Sequence, residues 1–233
     1  MLEIFTLQNL VLFIAGTVNL LMSIFIFSRG NSKKINKYFS YLTFFNFTWI
    51  LGIILAYYFD NINLVSFYDR TTNMSGIGII ISLFYFSLHF PYQREEINKV
   101  KTTIIWLFTI LLSIVIYTKW FIVSTVWIGN SSDYISRYYK PVFILYAAYF
   151  VALAIWSIYL LFVKYKHAEG LAKKQLKWLI LTISIGLFGG AYFNILLNYL
   201  GEFRLGWLGP IFTLLMNIVV FYFITSAKDK ING

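Results

Sequence analysis

The stretch Gln8–Ser28, QNLVLFIAGTVNLLMSIFIFS, decides the fold. Its 21 residues carry no charge, and Arg29, Lys33 and Lys34 follow it. At 1.5 Å per residue it makes a helix of about 31 Å, which matches the hydrocarbon core of a bilayer. The residues before it, Met1 to Leu7, include Glu3 and no basic residue. It therefore lacks the charged start of a cleaved signal peptide and reads as a retained span.

Six further apolar runs follow, at Lys37–Phe59, Thr72–Phe90, Thr102–Tyr117, Pro141–Val163, Gln175–Leu200 and Trp207–Thr225. Thr, Asn, Ser and Gly interrupt the third, and the fourth is short. The expectation is an all-α membrane protein, one seven-transmembrane helix bundle over residues 1–233. A barrel does not fit, because the runs lack the turn every ten residues or so that its strands require.

Composition agrees. The chain is 60% hydrophobic and 12% charged, where a soluble domain carries about 25% charged residues. Water cannot be the solvent for that much apolar surface, so the lipid bilayer is the first partner expected. Aromatic residues reach 21%, as suits rings placed at headgroup level. There is no cysteine, which excludes disulfides and thiolate chemistry. The net charge of +10 lies in short clusters between apolar runs, which argues for membrane orientation and against a nucleic-acid surface. Of the 19 Lys and Arg, 14 lie beside the connections after spans one, three, five and seven. The positive-inside rule then puts the N-terminus outside and the C-terminus in the cytoplasm.

Catalytic signatures are missing. No Walker loop, HExxH, GxSxG or GxGxxG after a strand is present. His89 and His167 have no carboxylate or second His at metal-ligand spacing, and Glu95-Glu96 sits in a charged turn. No cofactor, metal or enzymatic activity is expected. Span seven has no Lys, which removes a retinal Schiff base.

Polar residues inside the spans are the functional candidates. Gly186, Gly190, Asn194 and Asn198 recur every fourth residue in span six and share one helix face. Two readings stay open: a ligand groove lined by Asn194 and Asn198, or close helix packing through Gly186 and Gly190 with amide bonds across helices. Asn217, Asn46 and Asn19 are the candidate amide partners. Asp69-Arg70 and the pair Glu202 and Arg204 lie on outer connections, where either pair is a candidate ligand contact. The long outer segment Thr118–Lys140 is rich in aromatics. Phe121–Ile128 partly alternates and Gly129-Asn130 offers a turn, so it forms either a hairpin lid or an interfacial loop.

The last third carries a resemblance. Lys173-Lys174-Gln175-Leu176-Lys177-Trp178-Leu179 enters span six, followed by Gly189, Asn194, Leu196-Leu197 and Leu200-Gly201. Then comes Leu205-Gly206-Trp207-Leu208-Gly209-Pro210. This order resembles the N-terminal seven-helix sensor region found ahead of bacterial histidine kinases, with Phe84–Pro91 and Tyr138–Tyr149 similar more loosely. The resemblance implies a signal-receiving domain in the bacterial inner membrane. It also implies a cytoplasmic histidine kinase or cyclic-nucleotide enzyme as partner, with a second copy of the chain as another. Asn198 stands where the family often has proline, so a less kinked span six is expected. No phosphoacceptor helix follows span seven, and His167 lacks a phosphoacceptor's surroundings. The output then lies either on a partner or on a domain outside these residues.

The leading functional expectation is a sensor whose ligand shifts helices six and seven. The alternatives are a small carrier or channel, and a structural subunit of a membrane complex.

Overall fold

The computed structural model describes residues 7–29, 34–91, 98–127, 134–201 and 205–226. These residues form seven helices long and apolar enough to cross a membrane. They are α1 (Leu7–Ser28), α2 (Lys34–Tyr58), α3 (Ile62–His89), α4 (Lys99–Ile116), α5 (Lys140–His167), α6 (Gly170–Leu200) and α7 (Gly209–Ser226). Between α4 and α5 stand two strands, β1 (Ile122–Trp127) and β2 (Tyr134–Tyr138).

The chain's own chemistry sets the ends of these helices. Asn61 precedes α3 and accepts from the Asn63 backbone N–H at 2.9 Å, and Asn98 does the same for Val100 before α4 at 3.1 Å. Pro141 occupies the first turn of α5, where its missing N–H costs nothing. Gly201 ends α6 at φ +85, a conformation that glycine adopts without a Cβ penalty. Helix α3 begins ten residues before the expected Thr72. Its first three turns carry Asn63, Asp69 and Arg70, too polar for a hydropathy window, yet the Asn61 cap starts the helix there. Span six, expected to be less kinked, holds a π turn at Tyr192–Leu196.

Helix α3 is the central element. About 78% of its most apolar window is buried, against 22% for α4 at the periphery. It packs against α2, α5 and β1, while α1 leans on α2, and α6 on α7. Its own Ile80, Leu83, Phe84 and Phe86 are fully buried, as are Phe39 and Leu42 of α2. The outside is equally apolar: Phe13, Leu21 and Ile24 of α1 and Ile104, Leu107 and Ile110 of α4 are all exposed. A surface of that kind belongs in lipid.

Buried polar groups tie the helices together. Lys164 of α5 is only 3% exposed. Its Nζ donates to the carbonyls of Ser87 (3.0 Å), Leu88 (2.6 Å) and Phe90 (2.8 Å) at the end of α3. A cation there meets carbonyls that the helix leaves unpaired and the negative end of its dipole. The apolar run Pro141–Val163 leaves Lys164 just beyond its end, whereas α5 continues to His167 and includes it. Ser23 and Ser40 bond reciprocally between α1 and α2, each hydroxyl donating 2.9 Å to the other residue's carbonyl. We call the end near Lys37 and Lys164 the basic end, and the opposite end the hairpin end.

The strands pair antiparallel, with Thr125 opposite Ser136 and Trp127 opposite Tyr134, and a bulge between Ile122 and Ser124. The all-α expectation thus gains a small hairpin, of the two forms left open for this segment. The turn expected at Gly129-Asn130 lies outside the described residues. Phe121, Ile122 and Ser136 are buried, so the hairpin is seated on the bundle.

Candidate functional site

A cavity of about 50 Å³ lies in the hairpin half of the bundle, between α2, α3, α5, α6 and α7. A water needs roughly 10–15 Å³ on this measure, so the space suits a few waters or a ligand of a few atoms. Gly186, Gly190, Asn194 and Asn198 all line it. A four-residue step advances an α-helix by about 400°, so that face drifts by about 40° at each step. The π turn at Tyr192–Leu196 takes more residues per turn and reverses part of the drift. Asn194 and Asn198 thereby return to the wall that Gly186 and Gly190 begin.

The two glycines differ. A Cβ on Gly186 would lie 2.9 Å from Cβ of Met216, so this residue lets α7 pack closely. A Cβ on Gly190 would meet Thr213 at 3.5 Å and Trp49 at 3.9 Å, ordinary contacts, so Gly190 opens space. Within α6 the tightest approach is at Gly189, where a Cβ would overlap the Phe212 ring. Asn194 lies in the π turn and donates to the Gly206 carbonyl at 3.1 Å. A Cβ on Gly209 would overlap its amide. One side chain thus links the end of α6 to the start of α7.

Asn217 lies elsewhere. It is fully buried and donates to Oδ1 of Asn19 at 2.8 Å, while Asn19 donates to the Ala15 carbonyl at 2.9 Å. Asn46 donates to Leu42 of its own helix at 2.9 Å. These three amides do not partner Asn194 or Asn198. Their depth in the bundle carries them to each other or to their own helix.

The opposite wall comes from α3 and α5 through Thr72, Asn73, Gly76 and Tyr146. Tyr146 donates to the Asn73 carbonyl at 3.4 Å, and Gly76 leaves room for its hydroxyl. Asn73 and Thr72 reach back one turn to the Asp69 carbonyl, at 2.8 and 2.6 Å. Above them sits Asp69, buried under the hairpin. Its Oδ1 receives long contacts from Thr72 (3.4 Å), Asn73 (3.5 Å) and Tyr138 (3.5 Å), and the Ser136 hydroxyl of β2 also stands beside the carboxylate. Its Oδ2 is buried without a hydrogen-bond partner among the described residues. Burial pushes the phenols of Tyr134 and Tyr138 on β2 well up, and the nearby Asp69 charge adds to it.

Among the described residues Asp69 and Arg70, though adjacent in sequence, form no ion pair with each other. Adjacent residues on a helix point apart. Arg70 instead donates to the carbonyls of Ile116 (2.9 Å), Ile122 (2.8 Å) and Thr118, clamping the end of α4 and the start of β1. Glu202 and Arg204 lie outside the described residues. Among the described residues no group of three His, Asp or Glu is placed to hold a metal. His89 instead stacks on Tyr38 with ring centres 5.5 Å apart.

Sequence reading missed Asn73, Tyr146 and Trp49. The signal for the first was present in Asp69, Thr72 and Asn73 at three- and four-residue spacing, one helix face. Tyr146 and Trp49 look like any aromatic in a span.

The family described as the N-terminal 7TM region of histidine kinase matches residues 11–228. The match extends well beyond the Lys173–Thr225 stretch that carries the sequence resemblance. No curated protein matches the chain.

Proposed function

The chain belongs to the family of N-terminal seven-transmembrane regions of histidine kinases, and from that premise we propose how it senses and signals. Membership makes it a multi-pass membrane sensor region. The proposed ligand enters from outside the cell and occupies the cavity between α3, α5 and α6. The hairpin is its lid, with the basic end in the cytoplasm, as the Lys and Arg distribution supports.

One observation carries this reading. Asn194 lines the cavity and also holds the Gly206 carbonyl at 3.1 Å. A ligand with a hydrogen-bonding group competes for that amide and loosens the tie between α6 and α7. The glycine-lined contact of α6 with α7 then selects between two packings, and a ligand shifts them only by its difference in affinity. Asp69, a carboxylate short of donors beside Thr72 and Asn73, favours a ligand that brings an N–H or O–H group. The cytoplasmic ends of α6 and α7 pass the shift to a kinase.

The test is a distance measurement between spin labels at the basic ends of α6 and α7 in native lipid. Asn194→Leu mimics loss of the tie and is expected to move the distance distribution toward a second population. An unchanged distribution, with unchanged stability, removes Asn194 from the mechanism.

A further inference from the structure

A second site lies on the other side of α3. Helix α4 stands off from α2, leaving an open groove of about 910 Å³ with α3 as its floor. Its walls are apolar, from Phe44 and Phe45 through Ile77 and Ile81 to Ile110 and Ile114. The Phe45 ring lies flat on the floor because Gly78 has no Cβ to displace it. The two polar residues on the α4 wall turn away from the groove's needs. Thr109 donates to the Ile105 carbonyl at 2.8 Å and Ser113 to that of Thr109 at 2.7 Å.

The ends of the groove are unlike. At the basic end Lys37 is exposed, with its Nζ 5.8 Å over the Tyr41 ring. Tyr38 stacks on Tyr85 at 5.1 Å, and Tyr85 on Trp106 at 5.8 Å, so an aromatic row crosses the floor there. The Tyr85 hydroxyl is buried beside the Trp106 indole N–H, and no acceptor for its own proton is found among the described residues. The floor runs along α3 from Met74 to Tyr85. Those eleven steps of 1.5 Å make about 16 Å, and one leaflet of a hydrocarbon core is roughly 15 Å thick.

We propose that this groove binds one anionic glycerophospholipid from the leaflet at the basic end. Lys37 meets the phosphate, the Tyr38, Tyr85 and Trp106 rings floor the groove next to it, and an acyl chain fills the apolar length as far as Tyr117. Charge complementarity selects the headgroup, since a cation stands at the end where the headgroup lies. The groove between α5 and α6, about 760 Å³, makes the contrast: no charged residue lines it. It is an ordinary seam facing bulk lipid.

The experiment is native mass spectrometry of the full chain, titrated with phosphatidylglycerol and, separately, phosphatidylcholine. The unmodified chain is expected to retain one phosphatidylglycerol more tightly than phosphatidylcholine. Lys37→Gln should weaken phosphatidylglycerol about fivefold, the loss of one near-surface cation, and leave phosphatidylcholine unchanged. Ile110→Trp puts an indole into the groove from a position that is already exposed. It should abolish retention of the bound lipid while helicity stays unchanged. Equal retention of the two lipids by the unmodified chain, or undiminished retention in Ile110→Trp, overturns the proposal.

Discussion

The Asn217 side-chain amide donates to Oδ1 of Asn19 at 2.8 Å, joining the last helix to the first inside the bundle. Both residues are fully buried, and Asn19 passes the bond on to the Ala15 carbonyl. An amide pair of this kind closes the ring of helices. A double-mutant cycle with Asn19→Leu and Asn217→Leu should give a coupling of about 0.6 kcal/mol, with about 1.7 kcal/mol as the upper end. Unfolding in micelles measures it, and a coupling of zero contradicts the pairing.

Asn194 makes the corresponding link between α6 and α7. Asn194→Leu removes its bond to Gly206 and presses a branched side chain toward Gly209. We expect a stability loss of about 1 kcal/mol and kinase output that no longer follows the stimulus. Autophosphorylation in native membranes checks the second part.

Arg70 fastens the hairpin. Its guanidinium fork reaches three carbonyls, which a lysine ammonium cannot cover in the same geometry. Arg70→Lys should therefore speed amide exchange in Ile122–Trp127 about tenfold, as follows from losing one charged hydrogen bond of about 1.5 kcal/mol. Exchange in the core of α3 should not change. Equal exchange in both proteins would show that the clamp does not hold the hairpin.

Two neighbouring glycines should respond differently. Gly189→Ala drives a methyl into Phe212 and should cost about 1–3 kcal/mol. Gly190→Ala meets only ordinary contacts and should stay within about 0.5 kcal/mol. Because Gly190 lines the cavity, its methyl should still blunt the response to ligand. Thermal unfolding of both variants, read beside kinase output, separates packing from sensing.

The sequence shows the spans because hydrophobic length is a local property. It also shows the span-six face, since Gly186, Gly190, Asn194 and Asn198 recur at a helical spacing. It does not show the π turn that keeps them on one wall, nor the approach of its Asn194 to Gly206 and Gly209. The start of α3 is hidden for another reason: its first turns are polar, and only the Asn61 cap marks them. Asp69 and Arg70 are adjacent, so they look like a pair. In the fold Asp69 lies under the hairpin, and Arg70 reaches the carbonyls of Ile116, Thr118 and Ile122. Lys164 reads as an ordinary positive-inside charge until the end of α3 is seen against it. Pairings such as Asn19 with Asn217, 198 positions apart, lie beyond any local pattern.

The central claim is that the bundle hands a signal from its cavity to a kinase at the basic end. The most direct measurement places a photoreactive side chain at Thr225, near the end of α7, and cross-links it in native membranes. The account predicts capture of a histidine-kinase catalytic region, whether on the same polypeptide or a separate one. It predicts also that the yield changes in Asn194→Leu. Capture of membrane subunits alone, with protein-dependent substrate uptake into proteoliposomes, would contradict it and make the chain a carrier.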